Sequence, residues 1–381
     1  MKRTVLERNH AMSGTVTLFV LGIWGVFGAT GCSTDIDLTA PYQRTPVVFS
    51  LLEAAQDTQW VRINRTWLGD GNQFDAAMEQ DSSEYDAEDV TVLMSERIGD
   101  QVTRSWTLED VLIENKETNG IFYGPEHQMW FFVPEGGLDA AAEYDFNLDI
   151  TDGTHAEATT NMIATQAGNI TQPPPGVNNF KFGFASIGFQ TTYPDITFKW
   201  TSTDGASQYD ISMRIHVTER IWADLAHTQL VDEIERIVEW PMGSLRTDSD
   251  DGGEGLQKEV SGERFFTTLA TQLEEDPYIT RVLGTWDEDV QIARAFDFIL
   301  TIANDELATY LEINSPVTGV IQERPEYTNI SGGLGLFASR ASQGVYGVGY
   351  TTSTVQHLME GEATAALNFC TPNPFSAFFC D

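Results

Sequence analysis

Strict alternation of apolar and polar residues is the feature that most restricts how this chain can fold. From Tyr144 to Ile150, and again from Tyr209 to Val217, every second residue is apolar. Successive side chains of a β-strand point to opposite faces of the sheet, so this period is typical of strands with one buried face. We therefore expect a mainly β fold.

The first module is predicted to be an immunoglobulin-like β-sandwich over residues 45–165. Runs of strand-forming residues separated by polar turns occur at 45–51, 60–64, 90–94, 129–133 and 144–150. Asp152-Gly153 then precedes a further run at 155–160, and an Asp-Gly pair between two strands indicates a hairpin. About seven short strands of this kind are typical of a sandwich.

A segment at 166–179, which contains three consecutive prolines, is predicted to be a semi-rigid linker. It separates the first module from a second module over 180–365. There, a strand that contains Trp200 is followed by a small turn and by Ala206-x-x-Tyr209, an arrangement that resembles fibronectin type III domains. The predicted fold class is thus mainly β, with two β-sandwich modules.

The second module is expected to carry a helical insertion over about 219–285. Apolar residues near helical spacing indicate this insertion. They are Ile221, Leu225, Val231, Ile234 and Val238, followed by Phe265, Leu269 and Leu273. A further short helix is predicted near 305–311.

Residues 1–31 have the pattern of a signal peptide. Basic residues precede an apolar run at 15–28, which is shorter than the roughly 20 residues that span a bilayer. Small residues then lead to Cys32, and this arrangement resembles a bacterial lipobox. The resemblance implies that Cys32 carries a diacylglycerol and becomes the new N-terminus, with residues 32–44 as a tether. An ordinary secretory peptide with a free Cys32 is the alternative.

Lipidation at Cys32 would make membrane lipid the first partner of the protein, because several acyl chains together give stable anchoring. Ser33 provides no acidic signal for retention in the inner membrane. We therefore expect the protein in the outer membrane, on its periplasmic or its cell-surface side.

Acidic residues strongly outnumber basic ones, with 57 against 21 and a formal net charge of −36. A surface of this charge repels phosphate, which argues against nucleic acid as a partner. Apolar residues make up 41% and charged residues 20% of the chain, which excludes a wholly disordered chain and a polytopic membrane protein.

Apart from Cys32, the chain contains only the cysteines Cys370 and Cys380. An exported protein meets an oxidising compartment, so these two cysteines are expected to form a structural disulfide in a tail at 366–381.

A glycine-rich stretch near the C-terminus, Thr328-Asn-Ile-Ser-Gly-Gly-Leu-Gly-Leu-Phe337, resembles the signature of a Bacteroidota lipoprotein family, domain of unknown function 4249 (DUF4249). The lipobox, the acidic first module and the proline-containing linker are also similar to that family. The resemblance implies an accessory role beside a TonB-dependent outer-membrane receptor, without catalytic residues. The Cys370–Cys380 tail is a departure from the family pattern.

The same stretch can be interpreted from its residues alone. Gly332, Gly333 and Gly335 suit a bulged or tightly turned strand, where the backbone takes a positive φ or approaches a neighbour closely. Asn329 is expected to fix a turn rather than to bind a ligand.

An acidic loop partly matches an EF-hand calcium loop, with Asp248 and Asp250 at positions one and three and Glu259 at position twelve. Glu254 adds a further carboxylate, whereas Gly252 stands at position five, where an oxygen ligand is expected. A solvated acidic loop is the main interpretation and calcium binding is the alternative. No other cofactor is expected.

The sequence contains neither a His-Glu-x-x-His zinc motif nor a Gly-x-Ser-x-Gly nucleophile motif. We therefore predict a non-enzymatic outer-membrane lipoprotein, an accessory or binding component in nutrient uptake. One alternative is a cell-surface adhesin or carbohydrate-binding lipoprotein that uses aromatic residues of the first module. These are Trp60, Trp67, Trp106, Tyr123, Trp130 and Phe131. An envelope hydrolase is a more distant alternative.

Overall fold

The computed structural model describes residues 44–68, 72–116, 118–164, 169–315 and 326–380. The predicted signal peptide, Cys32 and the tether before residue 44 lie outside these residues. Within them, the expectation of a mainly β fold is confirmed. The helices in these ranges are all too short or too polar to span a membrane.

The first part of the chain folds into strands with short helices between β2 and β3. The strands are β1 (Pro46–Leu52), β2 (Gln59–Arg65), β3 (Val90–Ile98), β4 (Gln101–Thr107), β5 (Glu109–Glu114), β6 (Glu126–Phe132), β7 (Glu143–Ile150) and β8 (His155–Asn161). The helices are α1 (Gln73–Ala77), α2 (Gln80–Ser83) and a 3-10 turn at Ala87–Asp89.

The second part adds longer strands and three longer helices. The strands are β9 (Ile170–Gln172), β10 (Lys181–Phe182), β11 (Ser186–Ile187), β12 (Thr191–Thr192), β13 (Asp195–Thr201), β14 (Gln208–Trp222), β15 (Leu230–Arg246), β16 (Gly255–Ser261), β17 (Ile279–Leu283), β18 (Thr285–Asp287), β19 (Ile292–Ala303), β20 (Leu334–Tyr350) and β21 (Phe369–Cys370). The helices are α3 (Glu263–Gln272), α4 (Asp305–Asn314), α5 (Thr352–Glu360) and a 3-10 turn at Ala365–Leu367.

One large sheet runs through both parts of the chain, in the strand order β21-β17-β14-β19-β20-β1-β2-β6-β5, with β10, β15 and β18 attached at its sides. Smaller sheets have the orders β4-β3-β7-β8, β16-β13-β9 and β11-β12. The pairings of β20 with β1 and β10, and of β17 with β21, are parallel. This arrangement supports a sandwich-type fold, while the immunoglobulin-like and fibronectin-like topologies remain predictions.

The alternation seen in the sequence corresponds to buried strand faces. Tyr144, Phe146 and Leu148 on β7 are fully buried, and so are Met213 and Ile215 on β14. β7 and β8 form the hairpin that the Asp-Gly pair predicts, as an antiparallel pair. The period of two was therefore a reliable indicator of both strands.

Three clusters of buried apolar residues form the core, and β20 contributes to all of them. In the smallest cluster, Leu336 and Ala338 on β20 pack against α4. Phe337 belongs to the cluster between β1, β3 and β7, whereas Ala341, Val348 and Tyr350 belong to the cluster around β13, β14 and β19. Residues 44–381 accordingly form one unit by their contacts. The segment predicted as a linker contributes β9, which pairs with β13.

The helical insertion expected over about 219–285 is wrong for its first part. Residues 221–238 belong to the long antiparallel hairpin of β14 and β15. The error has a physical cause, since Ile234 and Val238 are four residues apart, a spacing that suits one face of a helix and one face of a strand equally well. The second part does contain a helix, because Phe265 and Leu269 are buried on α3. The short helix predicted near 305–311 is confirmed as α4.

The C-terminal tail is tied to the large sheet. Cys370 and Cys380 form a disulfide, as expected. The fully buried Arg281 on β17 donates from Nε to Glu219 Oε1 at 2.8 Å and from a terminal nitrogen to the Leu367 carbonyl at 2.9 Å. This buried pair joins β14, β17 and the start of the tail.

The glycine-rich stretch allows β20 to start against two other segments. Gly335 has φ +108°, and a Cβ at this position would lie 1.9 Å from the Val48 carbonyl oxygen. Gly332 has φ +77°, and its Cβ would lie 2.4 Å from the His155 carbonyl oxygen. The expectation of positive φ and close backbone approach is therefore confirmed. Asn329 bonds both backbone groups of Phe337, at 2.6 and 2.9 Å, which is a structural role.

A buried carboxylate, Glu96 on β3, is held by hydrogen bonds from β4 and β7. Arg104 Nε and Thr103 Oγ1 donate to its Oε1 at 2.9 and 2.7 Å, and the Tyr144 hydroxyl donates to its Oε2 at 2.7 Å. Burial raises the pKa of Glu96, but these hydrogen bonds outweigh burial and lower it from 4.5 to about 2. The network therefore stabilises the charged carboxylate.

We expect Gly335→Ala to destabilise the fold by about 3 kcal/mol or more, because it adds both a positive-φ penalty and a clash with backbone. Gly255→Ala is the control, since a Cβ there meets no atom within 4 Å and Gly255 has no positive φ. Urea unfolding of both variants measures the difference. Equal stability of the two variants would contradict the close packing of β20 on β1.

We expect Glu96→Gln to destabilise the protein by about 3 kcal/mol at neutral pH, because removal of one partner leaves the others unpaired. Since the folded-state pKa of Glu96 is below its ordinary value, the stabilisation is present above pH 4.5 and is lost as the pH falls towards about 2. The difference in free energy of unfolding between variant and wild type, measured in urea, should therefore become smaller as the pH falls over this range. A constant difference, equal to that of the exposed control Glu109→Gln, would contradict the assignment.

Candidate ligand groove

An open groove of about 630 Å³ lies on the large sheet, on the face opposite the cluster between β1, β3 and β7, where α4 covers part of the sheet. The two faces are defined on β1, where Val48 and Leu52 are fully buried in the core and Phe49 and Leu51 line the groove. This division follows from the alternation of side chains along a strand. The groove therefore uses the outer face of the sheet as its floor.

The floor extends across four strands. Phe49 on β1 pairs with Leu336 on β20 and with Arg62 on β2, so these side chains share one face. Trp60 on β2 and Met129 on β6 continue the floor beyond β1. Most of this floor is apolar.

Helix α4 forms one wall of the groove, with Leu307, Tyr310 and Leu311. The helix begins at Asn304, whose side-chain oxygen accepts from the Leu307 amide at 3.2 Å. The side-chain nitrogen of Asn304 donates to Thr160 Oγ1 at 2.8 Å, at the end of β8. This cap fixes the wall relative to the neighbouring sheet.

An ion pair closes one end of the groove. Arg340 Nε on β20 donates to Glu53 Oε2 at 3.0 Å, where Glu53 is buried and the Arg340 side chain is about half exposed. The buried Gln59 side chain holds the β1–β2 loop, since it accepts from the Glu53 amide at 3.0 Å and donates to the Gln56 carbonyl at 2.7 Å. Glu53 is thus positioned by a rigid loop.

Two aromatic rings in the groove are exposed although their neighbours hold them in place. Phe49 is 39% exposed and Trp60 is 40% exposed. The Phe49 ring lies 6.1 Å from that of Tyr310, and the Trp60 ring lies 5.4 Å from that of Phe131. The Ser50 hydroxyl also donates to the Trp60 carbonyl at 3.0 Å. The groove therefore presents ordered aromatic surface to solvent.

The chemistry of the groove is that of a binding site. Its apolar floor and aromatic rings can stack against a flat or apolar ligand face, and Gln56, Thr58 and Arg340 supply polar groups at one end. The charge of Arg340 is balanced by Glu53. Elsewhere on β6, burial lowers the pKa of the His127 imidazole, and Arg62 lowers it further.

The aromatic residues predicted as a possible platform lie in different parts of the structure. Trp130 is buried in the core, and Trp106 packs against the core with its ring 5.1 Å from that of Phe132. Trp60, in contrast, lines the groove, and its ring is tilted by 41° against that of Phe131. Trp67 lies elsewhere, with its ring 6.2 Å from that of Phe122.

The acidic loop considered for calcium is not assembled as a metal site. The Asp248 amide donates to Glu254 Oε2 at 3.4 Å, and the Glu254 amide donates to Ser202 Oγ at 2.8 Å. Glu259 lies on β16, and its backbone pairs with β13. Throughout the ranges that the structure describes, no three His, Cys, Asp or Glu side chains are grouped so that they could hold a metal ion.

Sequence reasoning missed Phe49, Glu53, Tyr310 and Arg340. The sequence indicated Phe49 only as part of a strand. Alternation along β1 would have placed its side chain on the other face of the sheet from that of Val48, which is buried. Arg340 and Glu53 are separated by 287 positions, so no local pattern could have joined them.

Comparison with family models and with curated protein sequences finds no relative from which a ligand could be inferred. No protein-family model matches the chain, and no curated protein sequence matches it. The resemblance to the DUF4249 lipoproteins therefore remains a prediction.

Proposed function

We propose that this protein is a non-enzymatic, lipid-anchored binding protein of the outer membrane that captures a ligand in the groove. The observation that carries the proposal is the pair of exposed rings of Phe49 and Trp60 on the apolar floor of the groove. Exposed apolar surface of this kind usually marks a binding site.

The proposed ligand is a neutral oligosaccharide. Sugar rings have apolar faces that stack on aromatic side chains and hydroxyl groups that need polar partners, and the groove offers both kinds of group. The net charge of −36 disfavours anionic ligands. The open shape of the groove suits an extended chain rather than an enclosed small molecule. This proposal favours the carbohydrate-binding alternative for the ligand.

We further propose that capture takes place beside a TonB-dependent receptor. Two features of the sequence support this setting, namely the lipobox-like segment that ends at Cys32 and the resemblance of residues 328–337 to the DUF4249 signature. In this scheme Cys32 anchors the protein, and the groove concentrates a nutrient for the receptor.

We expect Trp60→Ala to weaken binding of a neutral oligosaccharide by about tenfold or more, because a buried aromatic contact in a complex contributes on the order of 2 kcal/mol. A glycan array identifies the oligosaccharide, and calorimetry then gives the affinities. Phe189→Ala is the matched control, since Phe189 is fully exposed and does not line the groove. Absence of binding to every neutral glycan, or equal affinity of both variants, would overturn the proposed ligand.

We expect the wild-type protein in the membrane fraction and the Cys32→Ser variant in the soluble fraction, because the variant lacks the acylated thiol. Fractionation of the native host, followed by mass spectrometry of the N-terminal peptide, makes this measurement. A membrane-bound Cys32→Ser variant would contradict anchoring through Cys32.

The same tagged wild-type protein tests the receptor. Purified from native membranes in mild detergent, it should carry a TonB-dependent barrel in nearly equal amount. Recovery of the protein without such a barrel would contradict the accessory role and would leave the groove proposal unaffected.

A further inference from the structure

Strand β15 has an unusual outer edge. One edge of β15 pairs with β14 from Leu230 to Arg246, and within the described ranges no strand pairs with the other edge. Helix α3 reaches this edge at Glu239, whose carbonyl accepts from Gln272 Nε2 at 2.8 Å, and the Glu233 amide donates to the neighbouring Asp232 side chain at 2.9 Å. Since no strand lies beside residues 230–238 on this side in the described ranges, this part of the edge is a template for another strand.

The first half of β15 exposes apolar side chains on both faces. Ile234 pairs with Glu219 on one face, and Ile237 pairs with His216 on the other. Leu230, Val231, Ile234 and Ile237 are 46%, 63%, 43% and 53% exposed. Both faces are exposed from Leu230 to Ile237, whereas Val238 is buried in the core. Exposed apolar residues on both faces of a strand are typical of an interface.

We propose that residues 230–238 of β15 pair in antiparallel fashion with the same residues of a second copy of this chain. In this register Ile234 lies on the two-fold axis, opposite its own copy. A strand that pairs with itself in this way forms an isologous interface, which closes at a dimer.

The register is supported by the side chains that it places opposite each other. With Ile234 on the axis, Asp232 faces Arg236 of the other copy, and this ion pair occurs twice. On one face Leu230 faces Val238, and on the other face Val231 faces Ile237. Cross-strand pairs of opposite charge and of apolar residues are the combinations that stabilise a sheet.

Neighbouring antiparallel registers lack this complementarity. A shift of the axis to Glu233 or to Glu235 places two identical carboxylates opposite each other and sets apolar residues against charges. With the axis at Ile234 the unfavourable pair is Glu233 with Glu235. Glu233 is already neutralised within its own chain by Arg220, whose Nε lies 2.8 Å from Glu233 Oε1.

Arg236 can form an ion pair with Asp232 of the second copy and keep its ion pair with Glu219 in its own chain. It lies 3.1 Å from the buried Glu219, while nearly half of its side chain is exposed. Glu219 is also held by the buried Arg281, so the position of the ion pair does not depend on Arg236 alone.

Cysteine cross-linking tests the register directly in the full-length chain carrying Cys32→Ser. Residues directly opposite each other in an antiparallel pair have Cα atoms about 4.5–5.5 Å apart, within the range of a disulfide. Ile234→Cys should therefore form a covalent dimer under mild oxidation. Glu235→Cys is the control, because its copy lies two residues further along the partner strand, and we expect at least about tenfold slower cross-linking there.

Charge exchange tests the ion pairs. In Asp232→Lys the new lysine faces Arg236, and in Arg236→Asp the new aspartate faces Asp232, so each variant alone should dimerise about tenfold more weakly in sedimentation velocity. A mixture of the two variants restores opposite charges at both positions and should form a heterodimer. Circular dichroism of each variant establishes that it is folded.

Salt provides an independent measurement. Two copies with a charge of −36 each repel over long distances, and salt screens this repulsion. Dimerisation of the wild type should therefore strengthen between about 0.05 and about 0.5 M salt. A wild type that stays monomeric over this range, cross-links equally well at positions 234 and 235, or shows no preference for the mixed-charge heterodimer would overturn the proposal.

Discussion

The parallel pairing of β20 with β1 is the constraint on which the rest of the structure depends. It joins strands that begin almost 290 residues apart, and it is possible only because Gly335 brings its backbone against the Val48 carbonyl. Through this pairing the strands of the first part and those of the second part form one sheet. β20 also contributes Phe337 to one of the two larger core clusters and Val348 to the other, so loss of the pairing would separate these two clusters.

The groove exists because of the same pairing. Its floor combines β1, β2 and β6 with β20, and its wall is the helix that follows β19. The Asn304 cap ties this helix to β8, and the Glu53–Arg340 pair links the β1–β2 loop to β20. Phe49 and Trp60 are therefore held by elements from distant parts of the chain, which keeps their exposed rings in place for a ligand.

Local patterns in the sequence predicted the features that depend on neighbouring residues, such as single strands, a hairpin and a short helix. The alternation from Tyr144 and from Tyr209, the Asp-Gly hairpin, α4 and the disulfide partners were all visible, and so was the need for glycine in residues 328–337. The β14–β15 hairpin was not, because a spacing of four satisfies a helix and a strand alike. The groove could not be predicted, since its ion pair joins residues 287 positions apart.

The distribution of basic residues explains where such an acidic protein can bind a partner. Most arginines of the described residues are already bonded to carboxylates. These include Arg97, Arg104, Arg214, Arg220, Arg246, Arg281, Arg294 and Arg340. Acidic residues outnumber basic ones by 57 to 21 in the sequence, so the surface as a whole repels other acidic surfaces. A ligand or a second copy binds most favourably where this negative charge is absent or balanced by basic residues. The groove floor and residues 230–238 of β15 both expose apolar side chains, and part of the charge beside them is balanced by the pairs Glu53–Arg340, Arg220–Glu233 and Arg236–Glu219.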